Sequence, residues 1–186
     1  MRLRELLDAD WAALLRFSGE QPRARRWADG FSPRFASVVL VRIAQRLSAR
    51  GWARLAKLVA LVNFVVFGIE VPARLAIGPG LVLPHTQGTI IGAGRVGANV
   101  TIYQQVTLGA KLADFGFDPA LRPQVEDNAV ITAGAKILGP VRIGNGAIVG
   151  ANAVVLQDVP DGCVAIGVPA RILPREQTGA ADAAPT

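Results

Sequence analysis

The sequence predicts a mainly β protein built as a parallel β-helix, preceded by an α-helical segment. In the second half of the chain an aliphatic residue returns at every sixth position, and a small or β-branched apolar residue follows four places after each. Helices repeat near 3.6 residues and strands near 2, so neither explains this period. Short strands joined by tight corners do explain it. The six aliphatic positions are Val125, Ile131, Ile137, Ile143, Val149 and Val155.

Bulk composition supports one domain with a sizeable core. Hydrophobic residues make up 51% of the 186 residues and charged residues only 18%, which argues against disorder over most of the length. The single cysteine, Cys163, excludes an internal disulfide and favours a reducing compartment, so we expect a cytoplasmic protein. The chain start lacks an apolar signal region. With one histidine, a histidine-ligated metal is not expected.

The N-terminal part has helical periodicity. Apolar residues recur every three or four positions from Val39 to Leu47, and Arg42 falls on the opposite, polar side. Gly51 supplies a helix end, and a second helix is expected over 52–65. The apolar stretch that follows Lys57 is too short to span a bilayer.

Three regions follow from these patterns. Residues 1–66 form a helical segment, 67–173 a β-helix domain and 174–186 a flexible tail. Within the domain, 111–124 interrupts the repeat and is expected to project as a loop.

The net charge of +6 comes from the helical segment. The first 57 residues hold twelve Arg or Lys against five acids. A solvated helical surface explains this, and so does attraction to an anionic membrane face or an acidic glycan. Peripheral contact of these helices with the inner face of the membrane therefore stays open. A nucleic-acid partner is excluded, because no recognition motif accompanies the charge.

His85, the only histidine, is the candidate catalytic residue. It lies at an irregular place in the repeat, fifteen residues after Glu70. A turn of about eighteen residues would bring the two side chains close on neighbouring turns. A carboxylate that accepts the Nδ1 proton orients the ring and stabilises the imidazolium, so the pair is suited to removing a proton from a hydroxyl.

The segment 67–173 resembles the serine acetyltransferase group of hexapeptide-repeat acyltransferases. The resemblance implies a left-handed parallel β-helix, a homotrimer, and transfer of acetyl from acetyl-CoA to an alcohol without a metal. The stretches that carry it are Ile77-Gly78-Pro79-Gly80, Leu83-Pro84-His85, Asn99-Val100-Thr101-Ile102, Val106-Thr107-Leu108-Gly109, Ile131 to Gly139, and Gly167 to Ile172.

Site residues follow from this resemblance by position. His85 matches the general base of the group, and Glu70 stands where the group usually has Asp. Small residues at the positions of the acetyl-CoA groove, and a segment near the nucleotide end of the cofactor, also match. These cofactor positions are Ala110, Ala133, Ala151, Gly167 and Arg171.

Two departures bear on the acceptor. Members of the group place Asp before the catalytic His, to meet the substrate ammonium, and here that residue is Pro84. Leu121 and Arg122 replace an Arg-His pair, and Arg122 is expected to hold a substrate carboxylate. The absence of this partner for the ammonium group favours a sugar or glycan precursor as acceptor. The chain in this respect resembles the branch of serine-acetyltransferase-like proteins associated with capsule and exopolysaccharide synthesis. Serine O-acetylation for cysteine synthesis is the alternative, and a non-catalytic β-helix scaffold is the second alternative.

Overall fold

The computed structural model describes residues 1–112, 114 and 116–175. Three α-helices come first: α1 (Leu3–Phe17), α2 (Ala36–Ala49) and α3 (Ala53–Phe67). Short 3₁₀ turns cover Trp27–Phe31 and Pro119–Leu121. The strands that follow are β1 (Ile69–Glu70), β2 (Ala76–Ile77), β3 (Thr89–Ile91), β4 (Arg95–Val96), β5 (Thr101–Ile102), β6 (Thr107–Gly109), β7 (Gln124–Val125), β8 (Val130–Ile131), β9 (Lys136–Leu138), β10 (Arg142–Ile143), β11 (Ile148–Val149), β12 (Val154–Val155), β13 (Cys163–Ile166) and β14 (Arg171–Pro174).

The strands form three sheets that the chain visits in a fixed order. The first sheet is β1-β3-β6-β9-β12, the second β2-β4-β7-β10, and the third β5-β8-β11-β13, all with parallel pairing. Each strand pairs with its counterpart one turn later, as Ile137 pairs with Val155 eighteen residues on. The prediction of a mainly β protein with N-terminal helices is confirmed.

Inward-pointing aliphatic side chains build the core of this coil. In the first sheet Ile91, Leu108, Ile137 and Val155 follow one another in register, and all four are fully buried. The six aliphatic residues that define the sequence period are each at most 1% exposed. Each such side chain contributes about 1.5–3 kcal/mol by leaving water. The six-residue period in the sequence therefore marks the side chains that form the core.

Helix α2 is joined to the first turn of the coil by a buried arginine. Arg42 is 1% exposed, so the prediction that it faces solvent on the polar side of the helix is wrong. Its guanidinium donates to both carboxylate oxygens of Asp10 in α1 and to the carbonyl oxygens of Ile77 and Gly78, at 2.8 and 2.6 Å. A guanidinium can be buried here because it is paired and its donors are used.

Asp10 completes this junction from the other side. One of its carboxylate oxygens accepts the backbone N–H groups of Gly80 and Leu81, at 2.8 and 2.9 Å. Two helices and one coil turn therefore meet at a single ion pair.

The loop between β6 and β7 leaves the coil without disturbing it. Val96 pairs with Val125 across the insertion, so the second sheet continues in register. At the C-terminal end β14 pairs antiparallel with β13. The backbone of Val154 also donates to the Gly167 carbonyl and accepts from the Ala170 N–H. Pro174 belongs to β14 rather than to the predicted tail, and residues 176–186 of that tail lie outside the described residues.

Candidate active site

His85 and Glu70 lie on adjacent turns of the coil, beside and within the first sheet. His85 is in the corner that leads from the third sheet into β3, and Glu70 ends β1. The next residue in that corner, Thr86, donates its Oγ1 proton to the carbonyl oxygen of Phe67, three residues before Glu70, at 2.7 Å. The corner that carries the histidine is therefore attached to the backbone just before the acid.

The turn that separates them is longer than the predicted eighteen residues. Glu70 pairs with Ile90, twenty residues later, because the corner of residues 84–88 holds extra residues. Both side chains are exposed, and among the described residues neither makes a side-chain hydrogen bond or ion pair. Contact between the imidazole and the carboxylate stays a prediction.

The corner between the third and first sheets collects several of the predicted site residues. Ala133 and Ala151 occupy it on successive turns, joined by a hydrogen bond from the Asn152 N–H to the Ala133 carbonyl at 2.9 Å. Gly167, with a φ of 95°, ends the same corner, and its carbonyl accepts the Val154 N–H at 3.0 Å. His85 lies at the other end. These positions form one edge of the coil, which we call the catalytic edge.

Of the two remaining predicted cofactor residues, only Ala110 lies off the catalytic edge. It follows β6, which runs across the first sheet away from that edge, and so it occupies the corner between the first and second sheets. Arg171 is exposed at the start of β14 and pairs with Ile166, the residue before Gly167, so it lies beside the end of the catalytic edge. Within one chain, a groove along the catalytic edge does not include Ala110.

Gln104 is a residue of the catalytic edge that the sequence pattern does not single out. It belongs to the corner one turn after His85, as the bond from the Gln105 N–H to the Gln87 carbonyl at 3.0 Å indicates. Its side-chain oxygen is buried and has no hydrogen-bond partner, which is uncommon for a buried polar atom. A glutamine in a repeat corner carries no sequence signal that separates it from an ordinary turn residue.

Arg122 is held inside the loop of residues 111–124. Its Nε and Nη2 donate to one carboxylate oxygen of Asp114 at 3.0 and 2.8 Å, and its Nη1 donates to the Gly92 carbonyl at 3.0 Å. The guanidinium lies 4.0 Å from the centre of the Phe117 ring. Burial opposes ionisation of Asp114, but hydrogen bonds from Arg122 and the backbone keep the pKa of that carboxyl below its usual value. A substrate carboxylate would have to compete with Asp114 for this arginine.

Arg122 and His85 lie at opposite edges of one face. His85 precedes β3, whereas Gly92, to which Arg122 is bonded, follows it. The three residues of β3 separate them by about 10 Å at 3.3 Å per residue. A site that used both side chains of one chain would have to span this face.

Comparison with known proteins finds similarity to hexapeptide-repeat transferases and, among them, to serine acetyltransferases. The family model described as bacterial transferase hexapeptide (six repeats) matches residues 122–157. A serine acetyltransferase of Bacillus subtilis is 38% identical over 133 residues, which are 71% of this chain and 60% of that protein. A serine acetyltransferase of Helicobacter pylori strain J99 is 33% identical over 175 residues, covering 92% of this chain and 100% of that protein. The chain thus spans about 60% of the length of the Bacillus relative.

Solved structures agree with these relatives. The Neisseria gonorrhoeae serine acetyltransferase superposes with a TM-score of 0.76 at 30% identity, over 92% of this chain and 64% of that one. A serine acetyltransferase solved as a complex with CoA gives 0.77 at 31% identity, over 92% and 69%.

The predicted sugar or glycan acceptor is wrong on these matches. The Bacillus and Helicobacter relatives, at 38% and 33% identity, and the two solved structures described above bear the name serine acetyltransferase, which favours the alternative acceptor left open by the sequence. None of them is named for a capsule or exopolysaccharide branch. The presence of Pro84 in place of Asp is therefore insufficient evidence for a different acceptor, because the similarity extends along the whole coil.

Proposed function

Because the chain belongs to the serine acetyltransferase family, we propose that it transfers the acetyl group of acetyl-CoA to the hydroxyl of L-serine. The observation that carries the proposal is the match to the Helicobacter pylori serine acetyltransferase, whose whole length this chain covers. The catalytic edge supports it, since the candidate base and the small cofactor positions Ala133 and Ala151 share one corner of the coil.

The proposed reaction is a direct transfer without an acyl-enzyme. His85 takes the proton from the serine hydroxyl while that oxygen attacks the thioester carbonyl carbon. The carbon–sulfur bond breaks, and the imidazolium returns the proton to the CoA thiolate. Glu70 stabilises the imidazolium in between. General-base help of this kind contributes about 10²- to 10⁴-fold in rate, provided that the imidazole reaches hydrogen-bond distance of the hydroxyl.

The cofactor is proposed to lie along the catalytic edge. Ala133 and Ala151 leave room for the pantetheine arm to meet the backbone, and Gly167 and Arg171 lie toward the nucleotide end. Ala110 belongs to another corner, so it would join the groove from a neighbouring chain. This supports a homotrimer of left-handed β-helices with sites between protomers. The proposed donor and the single cysteine support a cytoplasmic location.

Arg122 is proposed to bind the serine carboxylate by exchanging it for Asp114. The arginine uses Nε and Nη2 for that carboxylate, the same fork that a substrate carboxylate would take. Because Arg122 and His85 of one chain flank β3 at its two ends, the loop of a neighbouring protomer is the better candidate to reach a given His85.

The test is thiol release from acetyl-CoA, measured with a chromogenic disulfide, with and without L-serine. We expect serine-dependent release, with O-acetylserine identified by mass spectrometry and no release with L-alanine, which lacks the hydroxyl. Calorimetric titration with CoA separates the scaffold alternative. A chain that binds CoA but releases no thiol with serine contradicts the acceptor, and a chain that binds no CoA contradicts the enzyme.

A further inference from the structure

Helix α3 exposes a broad apolar face to solvent. Along Ala53–Phe67, seven large apolar side chains are between 43% and 71% exposed, whereas a typical helix on a protein surface turns such residues inward. The exposed residues are Leu55, Leu58, Leu61, Val62, Phe64, Val65 and Val66. They make a contiguous patch of the kind that marks an interaction surface.

The opposite side of the helix is already used by the fold. Ala56 and Asn63 are buried, and the Asn63 side chain donates to the Ser37 carbonyl of α2 at 3.3 Å. Rotation of α3 to hide its apolar face would therefore break its packing on α2. The patch is a fixed feature of the surface.

Most of the charges around the patch are positive. Arg50, Arg54 and Lys57 are exposed at the N-terminal end of α3, and residues 50–69 contain no Asp or Glu. One acid, Glu70, lies beside Leu61 and Phe64 at the other end of the helix. Trp52, at the start of the helix, is 59% exposed. The helix is apolar over most of its surface, and its exposed indole and bordering cations are features shared with helices that lie in a membrane interface.

We propose that α3 binds the surface of an anionic lipid bilayer. Its apolar face would enter the boundary between headgroups and acyl chains, and the three cations would meet lipid phosphates and carboxylates. In the described part of the chain no helix has the length and apolarity needed to cross a membrane. This inference is independent of the acetyl-transfer reaction.

A twofold pair of chains fits the patch less well. It would place the patch of one copy against that of the other and so bring the three cations of each copy into one interface. Segment 50–69 supplies no acid, and Glu70 beside Leu61 and Phe64 can offset only one of the three. Anionic headgroups offset all three charges at once.

The experiment is co-sedimentation of the full chain with vesicles. Vesicles of phosphatidylcholine with about 30% phosphatidylserine, a strongly anionic surface, are compared with vesicles of phosphatidylcholine alone. We expect binding to the anionic vesicles, and about a tenfold or greater loss of affinity for L61E/V65E and for R54E/K57E. The matched control is W27E/F31E, which adds two negative charges at side chains that are 81% and 77% exposed outside α3. It should bind as the parent does.

Folding and assembly are measured on the same proteins by circular dichroism and sedimentation velocity. Vesicle binding that is absent in the parent, or unchanged in L61E/V65E, overturns the proposal. Unchanged anionic preference in R54E/K57E overturns its electrostatic part. A parent oligomer that L61E/V65E dissociates, without vesicle binding, assigns the patch to a second copy and also overturns it.

Discussion

Asp10 and Arg42 form a fully buried ion pair, with 2.8 Å between Oδ2 and Nε and 2.9 Å between Oδ1 and Nη2. Neither side chain is exposed to solvent. The pair joins α1 to α2, and both partners also bind backbone groups of the first coil turn. The attachment of the helices to the coil therefore depends on two charges that must be kept together.

Removing one partner of this pair should destabilise the protein strongly. Asp10→Ala is expected to lower the free energy of unfolding by about 3–5 kcal/mol, because the Arg42 charge stays buried without its counter-ion. Urea denaturation followed by circular dichroism measures this. Replacing both, as in D10L/R42M, should cost less than the sum of the two single changes. Asp8→Ala, which removes the partly exposed partner of Arg25 at the protein surface, should cost at most about 1 kcal/mol. A loss of similar size for Asp8→Ala and Asp10→Ala contradicts the assignment.

His85→Ala should remove nearly all serine-dependent acetyl transfer while leaving the coil folded. His85 is exposed in a corner, so its loss removes no core packing, and the expected fall in kcat is about 10²- to 10⁴-fold. Thiol release gives the rate and circular dichroism the fold. Gln87→Ala, an exposed residue of the same corner, is the matched control and should retain activity. Unchanged turnover in His85→Ala rules out the histidine as base.

Glu70→Gln should lower kcat while sparing the Michaelis constants for both substrates, because a neutral amide no longer stabilises the imidazolium. The residual rate should exceed that of His85→Ala. Glu70→Asp, which restores the residue that the group usually has, should recover activity, and that recovery separates a charge role from a packing role. If Glu70→Gln is as active as the parent protein, Glu70 is an ordinary corner residue.

The exchange proposed at Arg122 gives opposite effects for its two partners. Arg122→Gln should raise the Michaelis constant for serine about tenfold or more, since it removes a charge-assisted hydrogen bond. Asp114→Asn should lower it, because the competing carboxylate is gone. The constant for acetyl-CoA should stay the same in both. If both variants raise the serine constant equally, Arg122 only anchors the loop.

The Arg23–Asp29 pair should titrate at low pH. A hydrogen bond from Arg23, at 2.8 Å, and one from the Arg26 backbone hold the pKa of Asp29 at about 2. Since this pKa is depressed in the folded state, the stabilisation is complete above the ordinary Asp value of about 4 and is lost as the pH falls through about 2. NMR of the carboxyl carbon measures the midpoint. Arg23→Ala should raise it toward the ordinary value, and Arg95→Ala, a remote change, should not.

The sequence predicted the coil well because the core imposes its period directly. Ile137 and Val155 are eighteen residues apart, pair in the first sheet and are fully buried. The burial of Arg42 was not predictable, because helical spacing alone assigns an arginine to the solvent-exposed face of the helix. Its partner Asp10 is also thirty-two residues away in the sequence.

The candidate site was predictable in part. His85, Ala133 and Ala151 share an edge as the repeat implies. The first turn, however, takes twenty residues, so a count of eighteen misplaces Glu70 relative to its true neighbour Ile90. Ala110 lies at another corner because β6, the strand before it, runs across the first sheet and ends at the edge opposite His85. Such offsets depend on corner geometry, which composition does not encode.

The two ends of the coil are closed by different devices: helices tied by Asp10 and Arg42 at one end, and the antiparallel β14 at the other. A stack of parallel strands whose last turn has unpaired backbone N–H and C=O groups can pair with strands of other molecules and grow into fibres. The helices are bonded to the first turn and β14 covers β13 in the third sheet, so both devices oppose growth of the stack along its axis.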